Sequence, residues 1–428
     1  MMRFSTLVPD KSISHRAVLV ASVADGESRI ENCSTADDCV RTLTAVRALG
    51  CAVQSNGNVL TFSGAGAKSF SPPNSILDLG NSGTGMRLLL GVLAGQPMTA
   101  ALTGDDSLRK RPMDRVATPL GQMGAKIAGT GGMYAPLTVT GARPLKAIDW
   151  TLIPASAQVK SAVLLATVFA DGVTKIVEPL ATRDHTERML RSAGVDVKCN
   201  PTPEGVEIRM RGGVRPNPIR MRIPGDFSAA AFFLSLGLLS DRCAGVEISD
   251  IGLNPTRTAF LDVIRLMGGD ISVRIDREEG GEPVGTITAN PGPLRGIEVP
   301  TEWVPNLIDE LPILSILAVQ AAGATVVRGA GELRVKESDR IKSIVEMVQG
   351  FSGRIVERPD GFEITGDRLV PVKDRFKTSA DHRIAMSILI AAAATATHVT
   401  VDNTECINTS FPGFFDCLGE VHAKSHRN

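Results

Sequence analysis

Aromatic residues are scarce in this chain: 14 Phe, two Trp and a single Tyr account for only 4% of 428 residues. A groove of stacked rings for single-stranded nucleic acid is therefore excluded, and the core must be built from Ala, Val, Leu, Ile and Met. Neither sign of charge dominates, with 46 Lys and Arg against 46 Asp and Glu, so no global basic field draws in polyanions. The cysteines at 33, 39, 51, 199, 243, 406 and 417 are odd in number and contain no CxxC, which argues for reduced thiols rather than a disulfide framework or structural zinc. The six His (15, 185, 382, 398, 422, 426) form no HExxH, and neither a GxSxG elbow nor a Walker A loop appears. Metal ligation and serine-nucleophile chemistry lack their sequence signatures. The longest apolar run, 384–397, is too short and too rich in Ala and Thr for a membrane span. MMRFSTLVPDK carries no apolar leader core, so a cytoplasmic protein is expected.

What the chain does have is an internal repeat. Six segments share a polar opening, an apolar run of helical length and, in most, a Gly- or Asp-containing turn. They begin at Lys11, Ser82, Ser156, Asp226, Asp309 and Ala380, about 71, 74, 70, 83 and 71 residues apart. The first helix of each repeat is apolar nearly all round and should be buried. An amphipathic second helix follows, often closed by a C-capping Gly, as in DDCVRTLTAVRALG (37–50) and PTRTAFLDVIRLMGG (255–269). Short alternating runs such as NVLTFSG (58–64) and GFEITG (361–366) read as strands. Each repeat is then helix–strand–helix–strand–strand, an α/β arrangement. Three repeats make a domain: 11–225, and 226–428 joined by 1–10.

Unusual side chains gather where the buried helices open. A helix N-terminus presents unpaired N–H groups and partial positive charge, a ready site for phosphate or carboxylate. Lys11, Ser12, Ser14 and Arg16 open the first helix, and Gly80–Gly85 (GNSGTG) opens the second. Arg109, Lys110, Arg111 and Arg115 crowd the 108–115 segment, where Pro112 fixes Arg111. Ser156, Gln158 and Lys160 begin the third helix, with Arg183 in the TRDHTE segment. In the second half, LRVKESDRI (333–341) interleaves Lys336, Glu337, Asp339 and Arg340; i,i+4 spacing would put Lys336 and Arg340 on one helical face. Asp381, His382 and Arg383 precede the last buried helix. Asp309 has two readings, an N-cap or a general base beside a bound anion.

Taken in order, DKSISHRA (10–17), GNSGTGMRL (80–88), KRPMDR (110–115), SAQVKSA (156–162), TRDHTE (182–187), NPTRT (254–258), IDELPIL (308–314), LRVKESDRI (333–341), DHRIAMS (381–387) and TSFPGF (409–414) resemble the 5-enolpyruvylshikimate-3-phosphate synthase family, its class II branch in particular. The resemblance covers almost the whole chain. It implies an inside-out α/β barrel architecture of two similar domains, each with three repeats and buried parallel helices, and an active site in the interdomain cleft. It also implies metal-free and cofactor-free transfer of the enolpyruvyl group of phosphoenolpyruvate to the 5-hydroxyl of shikimate 3-phosphate by a monomer. Shikimate 3-phosphate would then contact Lys11, Ser12, Arg16, Ser156, Gln158, Arg183, Asp309 and Lys336. Phosphoenolpyruvate would contact Lys11, Gly83, Arg111, Gln158, Arg340 and Arg383. Asp309 would be the base, and Glu337 with Lys11 the acid. Glyphosate, which resembles phosphoenolpyruvate, is expected to fit beside Gly83.

Two departures and two rival readings complete the comparison. VPDKS lacks the Gly that usually precedes the Asp, and the chain before it is short, so a missing strand there would displace Lys11. Thr409 stands where many class I members carry a phosphate-binding Lys. Against an enolpyruvyl transferase acting on UDP-N-acetylglucosamine stand Lys11-Ser12 in place of Lys-Asn and the absence of Cys from LTGDDSLRKRP (102–112). A non-catalytic binder would not need Asp309, Glu337 and Lys11 together.

Overall fold

The computed structural model describes residues 1–5, 7–63, 70–240, 244–366 and 368–425. Gly64, Cys243 and His426, each part of a reading above, lie outside them, as does Asp241, the turn residue after the apolar run that begins at Asp226. The helices are α1 (Lys11–Val23), α2 (Asp37–Ala48), α3 (Gly83–Ala94), α4 (Asp114–Gln122), α5 (Ala157–Thr167), α6 (His185–Ser192), α7 (Phe227–Leu239), α8 (Ala259–Leu266), α9 (Val304–Leu307), α10 (Leu311–Gln320), α11 (Arg340–Gly350), α12 (His382–Thr395) and α13 (Phe414–Ser425). Two compact units result. The N-terminal one comprises Pro9–Ile223 with Glu278–Glu282; the C-terminal one comprises Met1–Val8, Pro224–Arg277 and Pro283–Asn428.

Within the N-terminal unit three four-stranded sheets repeat one topology. A first strand runs parallel to a second, which continues through two antiparallel neighbours. The sheet of Leu77–Asp78, Thr99–Thr103, Tyr134–Thr140 and Lys126–Thr130 follows this order, as does that of Asp149–Thr151, Val173–Glu178, Gly205–Arg211 and Val197–Thr202. The remaining sheet takes its outer strand, Arg220–Arg222, from the far end of the unit and pairs it with Glu27–Glu31 in the register Met221↔Ile30. The chain thus returns to its first repeat before leaving the unit.

In the C-terminal unit the same plan is used with diminishing sheets. Met2–Phe4 lies parallel to Val246–Gly252, in the register Met2↔Val246, and begins a four-stranded sheet. Next come a three-stranded sheet (Gly323–Val327, Gly361–Gly366, Arg354–Arg358) and a two-stranded one (Arg375–Phe376, Thr400–Val401). Parallel bridges Arg295↔Ala322 and Glu298↔Val326 stand in for the outer strand of the middle sheet. The first strand feared missing is therefore present, and Phe4 holds it down with its ring 5.1 Å from that of Phe233. Aromatic scarcity misled on this unit's core, because Phe4, Phe233, Phe411 and Phe414 form one cluster of tilted and edge-on rings.

The opening helices α1, α3, α5, α7, α10 and α12 are the buried ones; all thirteen residues of α7 are out of solvent. Small residues let them approach closely. A Cβ on Gly91 of α3 would lie 2.2 Å from the carbonyl oxygen of Ala162 on α5, so any side chain there would part the two helices. Gly50, Gly124, Gly194 and Gly268 end the second helices with positive φ, as their sequence placement suggested. The fifth repeat departs from this pattern: Gly350 stays helical, and Ser352 takes the left-handed conformation at φ 60°.

Candidate active site

Asp10 caps α1 by accepting from the Ile13 N–H at 2.7 Å, with φ −59°, a conformation any residue can adopt. The altered VPDK turn therefore still makes Lys11 the first residue of the helix. Its ammonium pairs with Asp38 at 2.8 Å, and both side chains are largely shielded. Arg16, one turn on, is 3% exposed. Its Nε donates to Thr186 Oγ1 at 2.8 Å, one Nη to Ser161 Oγ at 2.9 Å and the other to the Ser12 carbonyl at 2.9 Å. Burial lowers its pKa to about 10, opposed by Glu187, Asp10 and Glu282 and assisted by Arg183, so it remains a cation. His15 donates to or accepts from Thr42 at 2.8 Å and is pushed down to about 3, first by burial and then by Lys11 and Arg16. It is a neutral bridge between α1 and α2 rather than an acid or a base.

A second group surrounds the start of α3. Ser82 caps the helix through the Gly85 N–H at 3.0 Å. Arg111 donates to Asn81 Oδ1 at 2.8 Å and Ser107 Oγ at 3.0 Å, and it is buried where Arg109 and Lys110 are exposed. Gly83 makes room for two guanidinium groups, since a Cβ there would meet Arg87 at 2.9 Å and Arg111 at 3.3 Å. Gln158 on α5 accepts from Arg87 at 2.6 Å and donates to Thr84 at 2.9 Å, tying α5 to α3. Ser156 caps α5 through a long 3.4 Å contact with the Val159 N–H, too weak to commit the hydroxyl. Beneath these groups, Lys160 is 1% exposed between Glu178 and Glu187, each at 2.8 Å.

The C-terminal unit gathers the second set. Arg340, fully buried, donates from Nε to Asp381 Oδ2 at 2.7 Å, from Nη1 to Asp309 Oδ1 at 3.3 Å and from Nη2 to Glu337. Burial disfavours its charge, but Asp381, Glu337 and Asp309 outweigh that and raise its pKa above the ordinary arginine value. Arg383 donates to the Asp309 carbonyl at 3.0 Å, with its Nε 3.8 Å from the Asp309 carboxylate. One guanidinium therefore holds three carboxylates, one on each of its nitrogens, while a second cation stands beside them.

Two sequence readings change here. Asp309 is not an N-cap: it lies in a turn, Glu310 occupies the cap position of α10, and Asp309 is left as an acid–base candidate. Lys336 and Arg340 do not share a helical face. Asp339 caps the Lys342 N–H at 3.2 Å, which starts α11 at Arg340 and leaves Lys336 in extended backbone. Arg87, Asp38 and Glu310 were not singled out from sequence. Arg87 had a signal, as the lone cation in the apolar run GMRLLLG.

The chain matches the family described as EPSP synthase (3-phosphoshikimate 1-carboxyvinyltransferase) over residues 6–418. It belongs to that family. A relative from Desulfitobacterium hafniense (strain DSM 10664 / DCB-2), named 3-phosphoshikimate 1-carboxyvinyltransferase, is 45% identical over 413 residues, 96% of this chain and 93% of its own. The solved EPSP synthase of Acinetobacter baumannii superposes with a TM-score of 0.85 at 38% identity, covering 98% of this chain and 95% of that one. The enolpyruvyl transferase NikO of Streptomyces tendae, at 20% identity and a TM-score of 0.74 over 98% of this chain and 94% of that one, shares the mixed α/β fold.

Proposed function

We propose that the two clusters bind and process one pair of substrates, phosphoenolpyruvate and shikimate 3-phosphate. As a member of its family the chain is a 3-phosphoshikimate 1-carboxyvinyltransferase. It moves the enolpyruvyl group of phosphoenolpyruvate to the 5-hydroxyl of shikimate 3-phosphate and releases phosphate, a step in the shikimate pathway to chorismate and the aromatic amino acids. The observation that carries the residue assignment is Arg340 holding Asp309 and Glu337 on its two Nη nitrogens.

In this reading Lys11, Ser12, Arg16, Ser156, Gln158, Arg183, Asp309 and Lys336 receive shikimate 3-phosphate. Lys11, Gly83, Arg111, Gln158, Arg340 and Arg383 receive phosphoenolpyruvate, and the guanidinium forks suit its carboxylate and phosphate bidentately. Asp309 accepts the proton of the 5-hydroxyl as its oxygen attacks, while Glu337, with Lys11 as helper, protonates the methylene carbon. Glu337 then takes a proton back from the new methyl group as the carbon–oxygen bond that carries the phosphoryl group breaks, which expels phosphate and leaves the enol ether. The domains, read as 11–225 and as 1–10 with 226–428, correspond closely to the two units described above, each an inside-out α/β barrel in a cytoplasmic monomer. Glyphosate fits at Gly83 in place of phosphoenolpyruvate.

Phosphate release requiring both substrates is the test. Asp309→Ala lowers kcat by about 10²–10⁴-fold with shikimate 3-phosphate still bound. An unchanged kcat in that variant removes Asp309 from the chemistry.

A further inference from the structure

Glu310, next to the proposed base, is 1% exposed, and burial of a carboxylate at that depth demands partners for its lone pairs. Capping does not explain it: Glu310 occupies the cap position of α10, yet its side chain makes no capping hydrogen bond. Its oxygens turn instead to Arg257, whose Nη1 donates to Oε1 at 3.0 Å and to Oε2 at 3.1 Å. The Ser228 hydroxyl, in the first turn of α7, donates to Oε1 and accepts from Nη2 of Arg257. Arg257 and Ser228 are themselves 3% and 5% exposed. Three elements distant in sequence thus converge on one side chain: the start of α7, the NPTRT segment and the start of α10.

We propose that Glu310 is a positioning residue for the transfer, fixing the turn that carries Asp309 together with the guanidinium of Arg383. Arg383 links the two acidic neighbours. It donates to the backbone carbonyl of Asp309 at 3.0 Å, and its guanidinium stands 3.8 Å from the Asp309 carboxylate and 3.8 Å from that of Glu310. Arg257, Glu310, Asp309 and Arg383 therefore form a continuous chain of contacts whose far end is buried and multiply hydrogen-bonded. The peptide that carries Asp309 is tied to Glu310 on one side and to Arg383 on the other, so the backbone position of the base depends on both. A base displaced by about 1 Å from its working geometry loses on the order of 10² in rate. Arg383, freed from the Glu310 carboxylate, would also present its charge to phosphoenolpyruvate at the wrong angle.

The inference rests on the assignment of Asp309 and Arg383 above, and the experiment separates the two. Wild-type protein must first release phosphate only with both substrates; failure there overturns the assignment before any variant is made. Ser228→Ala removes only the bridging hydroxyl, and Glu310→Gln places an amide where Arg257 expects an acceptor. Both are assayed well below their unfolding midpoints. Expected are a fall in kcat of about ten- to a hundred-fold and a several-fold rise in KM for phosphoenolpyruvate, with a smaller change for shikimate 3-phosphate. A pair serving stability alone would lower the midpoint but leave kcat and KM per folded molecule unchanged. Wild-type kinetics in folded Ser228→Ala overturn the proposal, even if Glu310→Gln does not fold.

Discussion

Replacing Gly83 by Ala separates stability from function by sign. A methyl group at this position would lie 2.9 Å from Nη1 of Arg87, 3.3 Å from Nη1 of Arg111 and 3.8 Å from Leu108 Cδ1. The first distance is too short to persist, so Arg87 must shift, although it is held at 2.6 Å by Gln158. Crowding of this kind costs about 1–3 kcal/mol. If that cost falls on the phosphoenolpyruvate complex, KM for phosphoenolpyruvate rises about 5- to 150-fold. The backbone gives no reason for instability, because Gly83 is the first residue of α3 and is not one of the glycines with positive φ. Ala favours helix over Gly by up to about 1 kcal/mol, and the crowded atoms are the ends of flexible arginines that can move aside in the free protein, so the unfolding midpoint should hold or rise. Initial rates of phosphate release against phosphoenolpyruvate, at saturating shikimate 3-phosphate, provide the measurement. Glyphosate inhibition should weaken in parallel. An unchanged KM refutes the placement of phosphoenolpyruvate at Gly83; a lowered midpoint with proportional loss of rate refutes the steric argument.

Two further outcomes follow from buried charge. Folding takes the His15 pKa from its ordinary 6.5 down to about 3, so below pH 6.5 the unfolded chain takes up a proton that the folded chain refuses. Stability should fall by up to about 5 kcal/mol between pH 6.5 and 3 from this group, and His15→Gln should flatten the dependence of the urea midpoint on pH over that range. Lys160→Met leaves Glu178 and Glu187 without their shared cation and should destabilise the protein by about 3–5 kcal/mol in chemical denaturation. A loss below about 1 kcal/mol would overturn the reading of Lys160 as their shared cation.

The repeat was legible because burial leaves a periodic mark. Helices such as α7 and α10, buried on every side, read as apolar throughout, and their openings recur at regular intervals. Most cations of the candidate site were legible for the same reason, since a charge at the mouth of a buried helix is conspicuous, although Arg87 was not singled out. Their partners were not. Lys11 finds Asp38, Arg87 finds Gln158 and Arg257 finds Glu310, pairings that join residues 27, 71 and 53 positions apart. Spacing rules reach only one helical turn, and even there the boundary must be known. Lys336 and Arg340 have i,i+4 spacing but lie on opposite sides of the cap made by Asp339, a residue type whose preference for that position was the available clue.

The second cluster also constrains how an anion can enter it. Arg340, Arg383 and Arg257 face Asp309, Glu310, Glu337 and Asp381, so these cations already have carboxylate partners before any substrate arrives. An anion settling on Arg340 must displace one of its three carboxylates or meet it protonated. Asp381 is fully buried and also caps α12 through the Arg383 N–H at 2.9 Å, so releasing it would open the helix start. Asp309 is held by Arg383 as well as Arg340. Glu337, with the most exposed side chain of the three at 23%, yields at the smallest cost.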